Sequence, residues 1–290
     1  MTPTVHLWGL DEKPSVVSPE SVAIYWLLNS KLCGKEACVV FSNNTDLSPN
    51  QELPVLIEGN QTIHGFANIA EYLFPQESAL EMALLQFAQT KINTLTQYQL
   101  YLNKNNYDRF TRKVFSYLLH WPMWYNTPIK YRALARKRCE TLGYLSHEDD
   151  EEEHSVEYDD LVQSKAIKVT QNSKVENKEL LKSTRYNMQF LNRLGEQLKW
   201  WLEARKKVPK DKIPADYLLW ANLFVQQELP DGRVVREFLE QNLGSDAYRN
   251  IQEHLHECTQ LESVVAIRQP TFTESGNIVT SVYRQAIRYV

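Results

Sequence analysis

Apolar residues follow two regimes along this chain. Up to about residue 75 they come in short runs broken by Pro, Gly and Asn; beyond it they recur every three or four residues. In the first regime Val5-His6-Leu7-Trp8-Gly9, Cys38-Val39-Val40-Phe41 and Val55-Leu56-Ile57 predict strands. Ser18-Pro19-Glu20-Ser21 predicts a helix start, with Ser18 as N-cap, Pro19 at the first helical position and Glu20 in the first turn. That helix should run to about Leu32, and its apolar residues cover every face, the pattern of a buried helix. Ser42 to Asp46 is a polar turn whose side chains can bond their own backbone. Gly59-Asn60 supplies a tight turn from Val55-Leu56-Ile57 into an antiparallel return over Gln61 to His64. Gly65 breaks the strand, and Phe66, Ile69, Ala70 and Leu73 recur at helical spacing.

In the second regime one long helical pattern covers Glu77 to Leu102, and further helices are expected over Asn105 to His120 and Pro128 to Leu145. Glu148 to about Asn177 is highly charged and poor in apolar residues, which predicts a disordered insertion at about 147–177. Helical pattern returns over Lys178 to Val208, Pro214 to Glu228, Val234 to Gln241, Asp246 to Leu261 and Gly276 to Val290, with Pro230-Asp231-Gly232 as a turn. The expected organisation is a small α+β domain over 1–76 followed by an all-α domain over 77–290.

Composition narrows the function. The chain has 290 residues, 43% hydrophobic and 23% charged, an ordinary globular balance. No window approaches the ~18 uninterrupted apolar residues of a membrane span, and Met1 to Leu10 lacks the basic and apolar regions of a signal peptide. A place in the cytosol or on a cytosol-facing surface is therefore expected. The net charge of −4 is uneven: Glu148 to Asp160 carry nine carboxylates and no Lys or Arg, leaving the remainder five charges positive. So weakly basic a body gives no reason to expect nucleic acid. Four irregularly spaced cysteines, Cys33, Cys38, Cys139 and Cys258, read as reduced thiols.

The strand-hairpin-helix unit entered at Leu53-Pro54 resembles the second half of the thioredoxin-like domain of glutathione S-transferases. The resemblance implies a cis Leu53-Pro54 bond and a glutathione S-transferase-like architecture: a thioredoxin-like α+β domain, then an all-α domain. It also implies a ligand site of three parts. A hydroxyl near the start of the first helix would be Ser18, whose first reading is a plain N-cap. The proline loop would be Pro54. An acidic residue or Gln followed by Ser at the next helix start would hold the γ-glutamyl carboxylate with a hydroxyl and the helix N-terminus, but His64-Gly65-Phe66 stands there instead. A degenerate glutathione site around Ser18, Pro54, His64 and Gly65 is expected, with no catalytic residue and no cofactor.

Other chemistry is sparse. The nine glycines are never closer than six residues, which excludes the usual phosphate-cradling loops. On a helix His254 and Cys258 share a face while His256 points away, two ligands where zinc takes three or four, so no metal is expected. Ten aromatics lie between Tyr98 and Tyr131, most of them suited to fill a core. Trp121-Pro122-Met123-Trp124-Tyr125-Asn126-Thr127-Pro128 differs: two prolines predict an irregular surface loop, and Trp121, Met123, Trp124 and Tyr125 are expected to anchor a partner protein.

Several patterns stand in order: Val5-His6-Leu7-Trp8-Gly9, Val40-Phe41-Ser42-Asn43-Asn44-Thr45-Asp46, Leu53-Pro54-Val55-Leu56, Pro122-Met123-Trp124-Tyr125-Asn126-Thr127-Pro128, Glu148-Asp149-Asp150-Glu151-Glu152 and Leu229-Pro230-Asp231-Gly232. Together they resemble the fungal metaxin-related subunits of the mitochondrial sorting and assembly machinery (SAM). That resemblance implies a non-enzymatic peripheral subunit on the cytosolic face of the mitochondrial outer membrane. Its implied partners are the β-barrel core subunit of SAM, a second metaxin-like subunit, a receptor of the general translocase (TOM) and, transiently, β-barrel precursors, with membrane contact made through partners. A divergent glutathione-dependent transferase and a transferase-like scaffold of a cytosolic assembly are the alternatives.

Overall fold

A computed structural model describes residues 2–30, 37–75, 78–145 and 165–275, with side chains from residue 180 onward in the last segment. The expected strands form: β1 (Thr4–His6), β4 (Cys38–Val40), β5 (Val55–Glu58) and β6 (Gln61–His64), with a short β2–β3 hairpin (Gly9–Leu10, Lys13–Pro14) beside them. In the main sheet β1 runs parallel to β4, with Val5 opposite Val39, and antiparallel to β5, with Val5 opposite Leu56. β6 pairs antiparallel with β5 around Gly59, whose φ is +58°. The Leu53-Pro54 bond is cis, as the transferase resemblance implies.

Helix α1 (Pro19–Asn29) starts where the sequence places it, with Ser18 accepting the Ser21 N–H. It is buried on nearly every side because the sheet, helix α2 (Phe66–Leu73) and a helix of the second region enclose it. Val5, Ile24, Leu27, Val39, Leu56, Phe66 and Ile69 belong to one continuous core that extends into the helical region through Leu84, Ile92, Leu198 and Leu218. The expected extension of α1 to Leu32, and Cys33 itself, fall outside the described residues.

The long helical pattern after Pro75 is realised in pieces: α3 (Ala79–Phe87), α4 (Asn93–Gln97), α5 (Lys104–Asn106) and α6 (Arg112–Leu118), joined by wider π-type turns at Ala88–Ile92, Tyr98–Leu102 and Tyr107–Thr111. Each wide turn shifts the helix face by one residue and lets one run of sequence serve two packing surfaces. Helix α7 (Met123–Thr141) reaches back to the first region, where Arg138 pairs with Glu52 at 3.2 Å and Lys130 donates to Gln51 at 2.6 Å. Helices α8 (Lys165–Arg205), α9 (Pro214–Glu228), α10 (Gly232–Leu243) and α11 (Ser245–Thr259) complete the bundle. α9 is its centre: Asp216 accepts the Ile213 N–H at 2.8 Å and takes both Nε (2.8 Å) and Nη2 (3.0 Å) of Arg205. Phe224 of α9 meets Trp26 of α1 edge-on, with ring centres 5.4 Å apart. Asp231, in the expected turn, accepts from Asn103 (2.8 Å) and Asn105 (2.6 Å) while its N–H donates to Asn106 (3.0 Å).

Three features depart from the sequence reading. Of the expected loop at Trp121–Pro128, only Trp121 and Pro122 form a turn; from Met123 the segment is the start of α7, which runs on through Pro128. The N–H groups of Trp124, Tyr125 and Asn126 bond carbonyls of His120 and Pro122, and Pro128 sits inside the helix without an N–H to give. Helix α8 begins at Lys165, not Lys178, because no Gly or Pro interrupts residues 161–194 and most residue types there propagate a helix. The rest of the expected insertion, with its acidic run, lies outside the described residues, as does the expected helix from Gly276. Third, β7 (Ala266–Ile267) leaves the helices and pairs in parallel with β4, giving the sheet order β6-β5-β1-β4-β7. Two residues carry too little periodicity to announce a strand.

Candidate functional site

The three parts of the transferase-like site lie together at the junction of the two regions, each engaged by the chain itself. Ser18 is buried; its Oγ accepts the Ser21 N–H at 3.2 Å and donates to Ser21 Oγ at 2.9 Å. Ser21 Oγ in turn accepts the Trp8 N–H at 3.2 Å. The hydroxyl is therefore an N-cap inside a chain of hydrogen bonds. Pro54 O accepts the Gly65 N–H at 3.0 Å, tying the cis-proline loop to the start of α2. Gly65 holds that corner at φ +73°, a conformation open to glycine, and offers no side chain to cap the helix. His64 turns aside, with Nδ1 3.5 Å from Ser48 Oγ.

The cap of α2 comes from elsewhere. Glu20 Oε2 accepts the Phe66 N–H at 3.3 Å, and Glu20 Oε1 accepts Asn93 Nδ2 at 3.0 Å. A carboxylate on α1 thus sits on the helix N-terminus at which a glutathione transferase would receive its ligand's carboxylate. Loss of water around Glu20 pushes its carboxyl pKa above the usual value, partly offset by the Phe66 N–H. Below it, Trp8, Tyr101, Phe115 and Tyr131 close the space beside Ser18. Trp8 meets Phe115 edge-on at 5.5 Å, and Tyr131 stacks on Phe115 at 6.0 Å and on Tyr101 at 5.8 Å. The hollow left there is about 60 Å³, against the ~300–1,000 Å³ of ordinary ligand pockets. The sequence shows Glu20 only as a first-turn carboxylate and the aromatics only as an unusual density; their convergence depends on how the helices pack.

The four aromatic-segment residues divide. Trp121 is 69% and Tyr125 51% exposed, whereas Met123 and Trp124 are half-buried and Trp124 lies edge-on to Tyr125 at 6.1 Å. Tyr117 on α6 and Ile129 on α7 are also exposed, so four exposed apolar or aromatic side chains belong to α6, α7 and the turn between them.

Among the described residues, the other candidate reactive groups are held in structural roles. Cys139 and Cys258 are buried, free thiols, and burial pushes each pKa up to about 12, which keeps them protonated. His254 stacks on Trp220 at 4.6 Å and lies 3.3 Å from Glu257. Among the described residues no group of three or more His, Cys, Asp or Glu could hold a metal ion, and no helix is long and apolar enough to cross a membrane.

Two family matches span most of the chain. Residues 21–132 match the Tom37 family, described as outer mitochondrial membrane transport complex protein, and residues 146–289 match the Tom37 C-terminal domain. The chain belongs to the Tom37 family. This agrees with the metaxin-related resemblance of the ordered sequence motifs. No curated protein matches the chain. The Tom37 match assigns the chain to mitochondrial outer-membrane protein transport. The match over 21–132 takes in α1 from Ser21 onward, the cis-proline loop, α2 and the aromatic α6–α7 junction up to Arg132, and begins one residue after Glu20.

Proposed function

We propose that this Tom37-family chain is a non-enzymatic, peripheral subunit of the SAM complex on the cytosolic face of the outer membrane. In this role it holds the β-barrel core subunit and a second metaxin-like subunit together, supports insertion and release of β-barrel precursors, and couples SAM to a TOM receptor. Membership of an outer-membrane transport family carries the reading. Two features of the fold support it. The ligand site is taken by the chain's own Glu20 and by the Trp8–Phe115–Tyr131 cluster, which leaves little room for a small substrate. Exposed Trp121 and Tyr125 are the residue types that anchor protein interfaces.

The test is a mild-detergent pull-down of the tagged chain from mitochondria, probed for the β-barrel core subunit, the second metaxin-like subunit and TOM receptors. Co-recovery of the core subunit is expected. A chain recovered alone, or with ribosomes or tRNA synthetases, would sink the assignment.

A further inference from the structure

Beside the closed hollow lies a groove of about 650 Å³ between the N-terminal end of α2, the α3–α4 run and α7. One wall is a polar stripe from Gln86 through Gln89, Thr90 and Asn93 to Gln97, positions that share a face at helical spacing. The facing wall carries Lys137, Arg138 and Thr141 of α7. Glu20, Glu52, Asn93, Gln97 and Arg138 line both hollow and groove, and so stand where the two meet.

That corner has an excess of acceptors. Asn93 is only 4% exposed; its Nδ2 donates to Glu20, which fixes its amide orientation, and its Oδ1 receives no hydrogen bond. Gln97 Oε1, one helical turn on, is likewise buried without a donor. Each Glu20 oxygen accepts one bond and has capacity for another. Arg138 is engaged by Glu52 at 3.2 Å, and Lys137 is exposed to solvent. Buried acceptors without donors are costly, and a carboxylate among them favours a donor that is also positive. Because Glu20 already occupies the α2 N-terminus, this corner rejects a carboxylate and suits a cation.

We propose that this groove binds an extended polypeptide segment and seats one of its lysine or arginine side chains on Glu20, Asn93 and Gln97. The amide and hydroxyl stripe offers donors and acceptors at intervals, which an extended backbone can use on either side of that anchor. Guanidinium, with five donors in a fixed fork, fits an acceptor cluster of this kind particularly well.

The test is a two-dimensional NMR titration of the full chain with acetyl-Gly-Arg-Gly-amide and with the same peptide carrying citrulline, which keeps the shape and removes the charge. The arginine peptide is expected to bind about tenfold more tightly, and the shifted side-chain amides to include Asn68, Asn93 and Gln97. Glu20→Gln should abolish the preference. Gln97→Leu, which leaves the α2 cap intact, should weaken the arginine peptide several-fold in a chain whose spectrum is otherwise unchanged. Equal binding of the two peptides, shifts confined to another surface, no binding up to about 10 mM, or indifference to Gln97→Leu each overturns the proposal.

Discussion

Asn29 Oδ1 accepts the backbone N–H groups of both Val264 and Val265, at 2.7 and 3.0 Å. One side chain at the end of α1 therefore sets the chain on course for β7, more than two hundred residues later. Asn29→Ala removes both bonds and is expected to cost about 1–3 kcal/mol. Urea unfolding gives the loss, and native-state hydrogen exchange should show earlier opening at Arg268, whose N–H bonds Val39 O. Exchange at Arg268 unchanged from the parent would contradict this role.

Acid should loosen the same junction. His6 is buried in β1 with its Nε2 3.8 Å from Glu274, and burial lowers its pKa to about 4. The folded state resists protonation while the unfolded state takes a proton near 6.5, so stability is full above that value. It falls as pH drops from about 6.5 to about 4, by roughly 3 kcal/mol in all. Glu274, held by Arg268 at a pKa of about 2, adds a further loss below its ordinary carboxylate range. His6→Leu is expected to flatten the decline in unfolding midpoint between pH 6.5 and 4; an unaltered slope would exclude His6 as its source.

The start of α9 depends on Asp216 and Arg205. Arg205 also donates to the carbonyls of Val208, Lys210 and Asp211, so one guanidinium organises the whole turn before the central helix. Arg205→Ala leaves the nearly buried Asp216 carboxylate without its cation, and a loss of about 3–5 kcal/mol is expected in thermal or urea unfolding. A change below about 1 kcal/mol would show that water replaces the guanidinium without penalty.

Glutathione should not bind. With Glu20 on the Phe66 N–H and about 60 Å³ left beside Ser18, a millimolar excess of glutathione is expected to leave the melting temperature unchanged. A rise of several degrees, abolished by Ser18→Ala, would restore the transferase alternative.

Trp121→Ser with Tyr125→Ser removes exposed rings and should change stability by less than about 0.5 kcal/mol. The same double variant is expected to lose a subunit in the mitochondrial pull-down. Full recovery of every partner would remove this junction from the interface.

The sequence carried those features whose causes are local. Ser18-Pro19-Glu20 starts α1, Gly59-Asn60 turns β5 into β6, and Gly65 ends β6, because caps and turns are decided within a few residues. Three outcomes were illegible for a common reason. Glu20 reaches Phe66 across 46 positions, β7 is recognisable only beside β4, and Phe115 and Tyr131 fill the hollow only once α6 and α7 pack on Trp8. The α7 start is illegible in the sequence because two nearby prolines locally favour a loop, while the His120 and Pro122 carbonyls accept the first bonds of that helix.

The parallel pairing of β7 with β4 also bears on how the chain is made. On a ribosome, β4 has an open edge until residues 266 and 267 emerge, more than two hundred residues after β4 itself. The first region therefore waits, with an unpaired strand, until the helices between β4 and β7 have been made. A truncated product ending in the helical bundle would carry that open edge permanently, a surface prone to pairing with other chains.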